Sequence, residues 1–408
     1  MMPLSPDLST TVAGLHLSTC LYNASGPRSG NSTVLHKVAA SAGTGAVLSK
    51  SATLAAQAGN PQPRTHHAAD ATGGASFNSE GLPNNGIDYY IAPENINEIL
   101  QGISNNNQDK DKPNKPYIVS LSGKTLDDNL EMLQRIAAAK NPKIAAIELN
   151  LACPNIIGKP IIAYDVAQMR DILQAVRNEI KKSNNKALQT TPLGIKLAPY
   201  LDMVLLGQVA SLINDFKDTV KYIVTINTLG NALCIDTDAH QPFIASNNGF
   251  AGLSGTAVHY TALANVRALR NQLDTDIDIV GVGGVGTGEH AAAMLLAGAA
   301  AVQIGTTHWI EGPACFERIA NELRAYMQEH GFANIAELQA AWHLWTKEGA
   351  ELSRSKKKQK STASTVATMK TATAAAASDN SCMMLSAVLA VVAAVLLADK
   401  LGVVNLPL

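Results

Sequence analysis

The sequence predicts an α/β protein of the (β/α)8 TIM-barrel class, carrying a carboxyl-terminal linker and an apolar terminal segment. Three observations lead there. Short β-rich runs alternate with stretches of helical periodicity through most of the chain. Eight such runs occur, the number a closed parallel barrel needs. Polar residues and glycines gather at the carboxyl ends of these runs, where barrels of this class carry their chemistry. A doubly wound open sheet is the competing architecture, but no GxGxxG follows an early strand.

The strands are expected at Cys20–Ala24, Ala46–Lys50, Tyr117–Leu121, Ala146–Asn150, Gly194–Leu197, Tyr222–Asn227, Asp278–Val282 and Ala301–Gly305. Helical spacing of apolar residues marks Leu126–Ala139, Val166–Lys181, Met203–Asp215, Ala262–Leu273 and Glu289–Ala297 between them. Two polar stretches, Ser104–Lys115 and Lys182–Thr191, read as surface excursions. The barrel domain is expected over residues 1–345, a basic and low-complexity linker over 346–381, and an apolar terminal segment over 382–408.

Length and composition bound the function. The 408 residues suffice for one large α/β domain plus appendages, and 46% are hydrophobic, so a sizeable core is expected. A net charge of -1 points to no nucleic-acid partner. Five scattered cysteines without a CxxC pair argue against a disulfide framework, a zinc site or an iron–sulfur cluster, and fit a reducing compartment. His66 and His67 point apart in an extended chain and have no acidic partner at ligand spacing, so no metal is expected. Met1 to Thr19 lacks the pattern of a secretory signal. Near the other end, Cys382 to Ala398 is apolar apart from Ser386. A helix over it would span about 25 Å, slightly under the ~30 Å of a bilayer core. It reads as a membrane anchor on a polar linker, which gives a cytoplasmic catalytic domain tethered to an intracellular membrane. A disordered tail is the competing reading.

The candidate chemistry lies at the strand ends. Glu148-Leu149-Asn150-Leu151-Ala152-Cys153-Pro154-Asn155 runs an apolar strand into two amides that bracket a cysteine. A thiol so flanked is placed to take a proton from a polar ring held by those amides. A buried structural cysteine would sit inside the apolar run instead. Lys50 ends the second strand and Lys196 the fifth, while Asn227 and Thr228 end the sixth. Gly283 and Gly284 follow the seventh strand, and Gly305 and Thr306 close the eighth, the two loops with which barrels often bind phosphate. Gly255 could bring another backbone N–H close. Plain βα turns are the bland alternative for these glycines.

Other landmarks are Asn23-Ala24-Ser25-Gly26, Ser49-Lys50-Ser51-Ala52-Thr53, Gly59-Asn60-Pro61-Gln62-Pro63-Arg64, Asn78-Ser79-Glu80-Gly81-Leu82-Pro83-Asn84, Gly158-Lys159-Pro160, Thr261-Ala262-Leu263-Ala264-Asn265-Val266 and Glu311-Gly312-Pro313. With these motifs the chain, from about Leu17 to Leu338, resembles the class 1A dihydroorotate dehydrogenases, soluble flavoproteins of pyrimidine synthesis. The resemblance implies an FMN-containing barrel, usually homodimeric, that oxidises dihydroorotate to orotate and passes the electrons to fumarate, giving succinate, at the same site. By the same resemblance Ala24, Lys50, Ser51, Asn150, Lys196, Ile226, Gly255, Gly283, Gly284, Gly305 and Thr306 match flavin-contacting positions. Lys50, Asn78, Gly81, Leu82, Asn150, Asn155, Asn227 and Thr228 match substrate positions, and Cys153 matches the catalytic base. The loop from Pro154 to Ala163 is expected to close over the site.

The chain departs from the family pattern at Ala152, usually serine, and at Glu80, usually methionine. Glu80 stands beside the carboxylate-binding amides, so its side chain is expected to point away. Thr228 replaces a serine, Ser254 a glycine beside the flavin phosphate, and Ala198 a proline, while His259-Tyr260 replace an apolar–proline or Lys-Pro pair. Two other functions compete. One is a flavin barrel that uses another pyrimidine or another acceptor, such as a membrane quinone. The other is a non-catalytic, membrane-tethered, flavin-binding scaffold.

Overall fold

The computed structural model describes residues 5–68, 74–101, 115–152, 161–182 and 186–356. The chain divides into two compact units, Met1–Trp342 and His343–Leu408. In the first, eight parallel strands form one sheet: β1 (Leu21–Asn23), β2 (Val47–Leu48), β3 (Tyr117–Leu121), β4 (Ile144–Asn150), β5 (Leu193–Lys196), β6 (Val220–Thr225), β7 (Asp278–Val282) and β8 (Ala301–Ile304). Their order is β1-β8-β7-β6-β5-β4-β3-β2, which leaves one seam, between β1 and β2. A single parallel bridge, Tyr22 to Ala46, begins to close it. Beyond that bridge the Asn23 carboxamide replaces the backbone ladder. Its Nδ2 donates to Leu48 O at 2.7 Å and its Oδ1 accepts from Leu48 N at 2.9 Å. This is why β2 is shorter than the expected Ala46–Lys50. On its other side β2 is held by regular bonds, Val47 N to Pro116 O at 2.9 Å and Ser49 N to Ile118 O at 3.0 Å.

The barrel interior is a packed core. Tyr22, Leu48, Ile118, Tyr222, Val224 and Val280 fill it with their neighbours, and the hairpin Thr10–Val12/Leu15–Leu17 contributes Val12 and Leu17 to the same cluster. A larger cluster lies between the strands and the surrounding helices. Each fully buried Leu, Ile or Val there contributes roughly 1.5–3 kcal/mol. Two polar side chains, Glu148 and Gln303, are also buried inside at 0% exposure.

The expected helices form and are capped as their sequences dictate. Leu126–Ala139 starts at a capping box in which Thr125 Oγ1 accepts from Asp128 N (3.1 Å) and Asp128 Oδ2 accepts from Thr125 N (3.3 Å). Met203–Asp215 starts at Asp202, whose Oδ1 accepts from Val204 N at 2.7 Å. Val166–Lys182 and Gly288–Leu296 match expectation to within a residue. The helix expected at Ala262–Leu273 is shifted to His259–Arg270. It stops early because Arg270 folds over the next turn, with Nη1 donating to Ile277 O and Nη2 to Leu273 O, both at 2.8 Å.

Other elements were not among those expected. They include helices Ser32–Ala40, Pro93–Leu100, Ala314–His330 and Ile335–Ala340. An antiparallel sheet also forms, in the order Leu229–Leu233, Phe250–Gly255, Ala75–Asn78, Thr65–Ala68. Lys115 is no surface residue, as the sequence suggested. Its Nζ donates to Ala39 O and Thr44 Oγ1 at 2.8 Å and also to Ser41 O, just past the carboxyl end of helix Ser32–Ala40. Burial pushes its pKa down to about 8. The rest of the Ser104–Lys115 stretch lies outside the described residues, and part of Lys182–Thr191 forms a short helix, Lys186–Thr190. No helix among the described residues is long and apolar enough to cross a membrane, and Cys382 to Ala398 lies outside them.

Candidate active site

At the carboxyl ends of the strands lies a cleft of about 1050 Å³, its open mouth included. All eleven positions matched to the flavin line it: Ala24, Lys50, Ser51, Asn150, Lys196, Ile226, Gly255, Gly283, Gly284, Gly305 and Thr306. Of the substrate positions, Asn78, Leu82, Asn227 and Thr228 line it too. Gly81 does not. Its carbonyl instead accepts from Gln57 Nε2 at 2.5 Å, behind the wall. Cys153 and Asn155 lie outside the described residues, as does most of the Pro154–Ala163 loop.

One wall is backbone. Gly255, Gly283 and Gly284 have φ of +83°, +134° and +69°, values that side chains rarely tolerate. A Cβ at Gly283 would lie 2.6 Å from Ala262 Cβ, and one at Gly284 would lie 2.7 Å from His259 Cβ. Glycine here lets β7 and the start of helix His259–Arg270 approach and leaves main chain facing the cleft. Ser254, the unusual residue of this wall, fits without disturbance. Its hydroxyl lies 3.2 Å from Ser76 O and 3.1 Å from Thr306 Oγ1. His259 Nδ1 lies 3.2 Å from Gly283 O, and the ring packs 4.3 Å from that of His290. Burial lowers the pKa of both rings, so both favour the neutral form.

The opposite side is polar and fixed. Ser51 Oγ lies 3.0 Å from Ser25 Oγ, 2.9 Å from Ser120 Oγ and 3.3 Å from Asn150 Nδ2. Asn150 Oδ1 accepts from Ala152 N at 3.0 Å, and Asn227 Nδ2 donates to Ala152 O at 2.6 Å. Two asparagines, one ending β4 and one just past β6, thus clamp the residue that precedes Cys153. The far end of that loop is tied as well, through Ala163 N to Leu151 O at 3.0 Å and Tyr200 Oη to Ala163 O at 2.8 Å. The alanine at 152 costs nothing in this clamp, which uses only its backbone.

Lys50 and Lys196 are 6% and 4% exposed. Glu148 lies in the same interior. Its Oε2 accepts from Gln303 Nε2 at 2.8 Å, and Gln303 reaches the cleft. Burial raises the Glu148 pKa, partly offset by the positive charge of Lys196. Glu80 is the sole carboxylate among the described residues of the lining. Its carboxylate is paired within the protein. Its Oε1 lies 3.2 Å from Arg64 Nε, with the two side chains 13% and 17% exposed. Ser254, read by resemblance as standing beside the flavin phosphate, lines the cleft, whereas the sequence reading missed Ser25, Gln303 and Trp309 as lining residues. Gln303 was detectable as the inward polar residue two positions before Gly305, whereas Trp309 gave no signal. His66 stacks on Phe243 at 3.9 Å, and His67 meets the edge of Trp309 at 4.5 Å.

Residues 7–327 match the family model for dihydroorotate dehydrogenase. The chain belongs to the dihydroorotate dehydrogenase family. Its similarity is to class 1A members. It is 38% identical over 330 residues to dihydroorotate dehydrogenase A (fumarate) of Lactococcus lactis subsp. lactis (strain IL1403), an alignment covering 81% of this chain and 97% of that protein. It is 39% identical over 333 residues to dihydroorotate dehydrogenase (fumarate) of Saccharomyces mikatae, with the same coverage. Among solved structures, Eimeria tenella DHODH in complex with ferulenol superposes with a TM-score of 0.65 at 20% identity, over 82% of this chain and 89% of that one. At that identity the likeness speaks for the fold alone.

Proposed function

We propose that this chain oxidises dihydroorotate to orotate and returns the electrons to fumarate at the same cleft. The observation that carries the reading is the convergence, on one cleft, of a glycine wall, two buried lysines and three asparagines (Asn78, Asn150, Asn227). They meet in a chain 38% identical to proteins named for that reaction.

The residues present fit FMN. Gly255, Gly283 and Gly284 present main chain along the cleft, and two buried lysines, Lys50 and Lys196, line it. When bound, FMN would supply a two-electron acceptor. Lys196 would stabilise negative charge that grows near it. The asparagines would offer paired donors and acceptors to a carboxylated pyrimidine, which rejects analogues that leave them unmatched. Lys50 and the backbone at Leu82 would hold the substrate carboxylate. Cys153 would take the proton from ring carbon 5 as a hydride leaves carbon 6. The Asn150–Ala152–Asn227 clamp would fix the start of the loop that carries this thiol. Fumarate would then receive the hydride and a proton, giving succinate and balancing the two half-reactions.

A homodimer belongs to the same proposal. Exposed apolar residues such as Leu201 and Val204, each 70% exposed, support it. The decisive experiment is anaerobic mixing of the purified protein with dihydroorotate. Flavin absorbance should bleach and then return on addition of fumarate. Flavin that dihydroorotate leaves oxidised refutes the reading.

A further inference from the structure

The Arg64–Glu80 pair sits at the cleft wall with no part in the chemistry above. Both partners are firmly mounted. Arg64 Nη1 donates to Ala58 O at 2.8 Å and to Asn60 O at 3.1 Å. Arg64 O accepts from Ser79 N at 2.8 Å, and Glu80 O accepts from Asn60 N at 2.9 Å. Glu80 reaches the cleft lining, whereas Arg64 does not. The positive member therefore stands behind the negative one as seen from the ligand, and its compensation inside the cleft is incomplete. Both side chains are more than four-fifths buried, so solvent screens their field poorly. The next residues, Gly81 and Leu82, turn the chain with φ of +68° and +55° and put Leu82 on the lining.

We propose that Glu80, backed by Arg64, is a specificity-determining residue that discriminates between one-carboxylate and two-carboxylate ligands of the cleft. The inference rests on the reading that dihydroorotate and fumarate share this cleft. A monoanion meets the Glu80 field once, and a dianion meets it twice. A fixed charge that weakens binding by a given factor for one carboxylate weakens a dicarboxylate further, by a smaller factor for the second, more distant carboxylate. Glu80 thus favours the pyrimidine over the dicarboxylic acceptor.

The test is equilibrium binding to the oxidised, flavin-loaded protein without turnover. Orotate is followed by its perturbation of the flavin spectrum, and fumarate by its displacement of orotate. Glu80→Gln should tighten orotate about threefold and fumarate more, by up to about tenfold, shifting the ratio by up to about threefold. Glu80→Met, neutral and unable to pair with Arg64, should shift the ratio in the same direction. A wild-type protein that binds both ligands, with the ratio unchanged or reversed in either variant, overturns this inference alone. A wild-type protein that binds neither overturns the functional reading and this inference with it.

Discussion

Asn23 gives the sharpest test of how the barrel closes. The Asn23→Ala substitution removes both bonds across the seam, leaving Leu48 N and Leu48 O without their partner. Asn23 and Leu48 are both 0% exposed, so water cannot replace the amide. Each buried group left unsatisfied costs about 1–3 kcal/mol, so the loss of two should be about 2–6 kcal/mol. Urea titration followed by circular dichroism would report it as a lower midpoint at constant slope. With a slope of about 3 kcal/mol/M or more for a chain this size, the midpoint should fall by roughly 1 M. The Asn23→Asp substitution adds a pH signature. An ionised carboxylate still accepts from Leu48 N but repels Leu48 O, and burial raises its pKa. Its folded pKa thus exceeds the unfolded value of about 3.9, and stability falls as pH rises between them. The deficit of Asn23→Asp relative to wild type should shrink toward low pH, where the protonated acid donates to Leu48 O as the amide does. A cost below about 1 kcal/mol for Asn23→Ala, or a pH-independent deficit for Asn23→Asp, would refute this account of the seam.

Other outcomes follow from the site. Cys153→Ala should keep bound FMN and orotate affinity while slowing flavin reduction by dihydroorotate at least about 10²-fold in stopped-flow traces. Reduction of the wild-type flavin should rise with pH through the thiol's apparent pKa. The raised pKa of Glu148 means that the folded protein holds a proton the unfolded chain releases. Stability should therefore fall as pH rises from about 4.5 toward the folded value. Glu148→Gln should remove that slope, and its stability relative to wild type in paired denaturation curves should grow across the window. Gly284→Ala should weaken flavin binding by displacing the glycine wall, because its Cβ would lie 2.7 Å from His259 Cβ and 2.9 Å from Gly255 O. The purified variant should be colourless or bind FMN at least about tenfold more weakly by fluorescence titration. Deleting residues 361–408 should leave flavin content and turnover unchanged, while the full-length protein should sediment with membranes and resist carbonate extraction.

Much of the site was legible because a barrel puts its chemistry at one kind of place. A polar residue or glycine that ends an apolar strand run faces the cleft, and Lys50, Asn150, Lys196, Asn227, Gly283, Gly284, Gly305 and Thr306 all do. The resemblance supplied Ala24, Ser51, Ile226, Asn78 and Leu82, which no periodicity marks. Gly81 shows the limit of reading neighbours together. Leu82 lines the cleft while the residue before it bonds behind the wall. Trp309 gave no signal, and Ser254 was marked only by the resemblance. Ser254 comes from the antiparallel sheet and Trp309 from the short helix after β8.

By itself the sequence determined the strand and helix alternation, the strand-end chemistry and the helix caps. Each depends on residues within a few positions of one another, and local burial and local hydrogen bonding leave a periodic trace. Only the tertiary structure decided how the barrel closes, where Glu80 points and what holds the residue before Cys153. The Asn23 amide finds Leu48 across 25 residues, Arg64 meets Glu80 across two facing segments, and Asn227 reaches Ala152 across 75 residues. A polar side chain carries the same letters whether it faces water or a buried peptide. Its partner is fixed only when distant segments pack and remove the water that would otherwise have served.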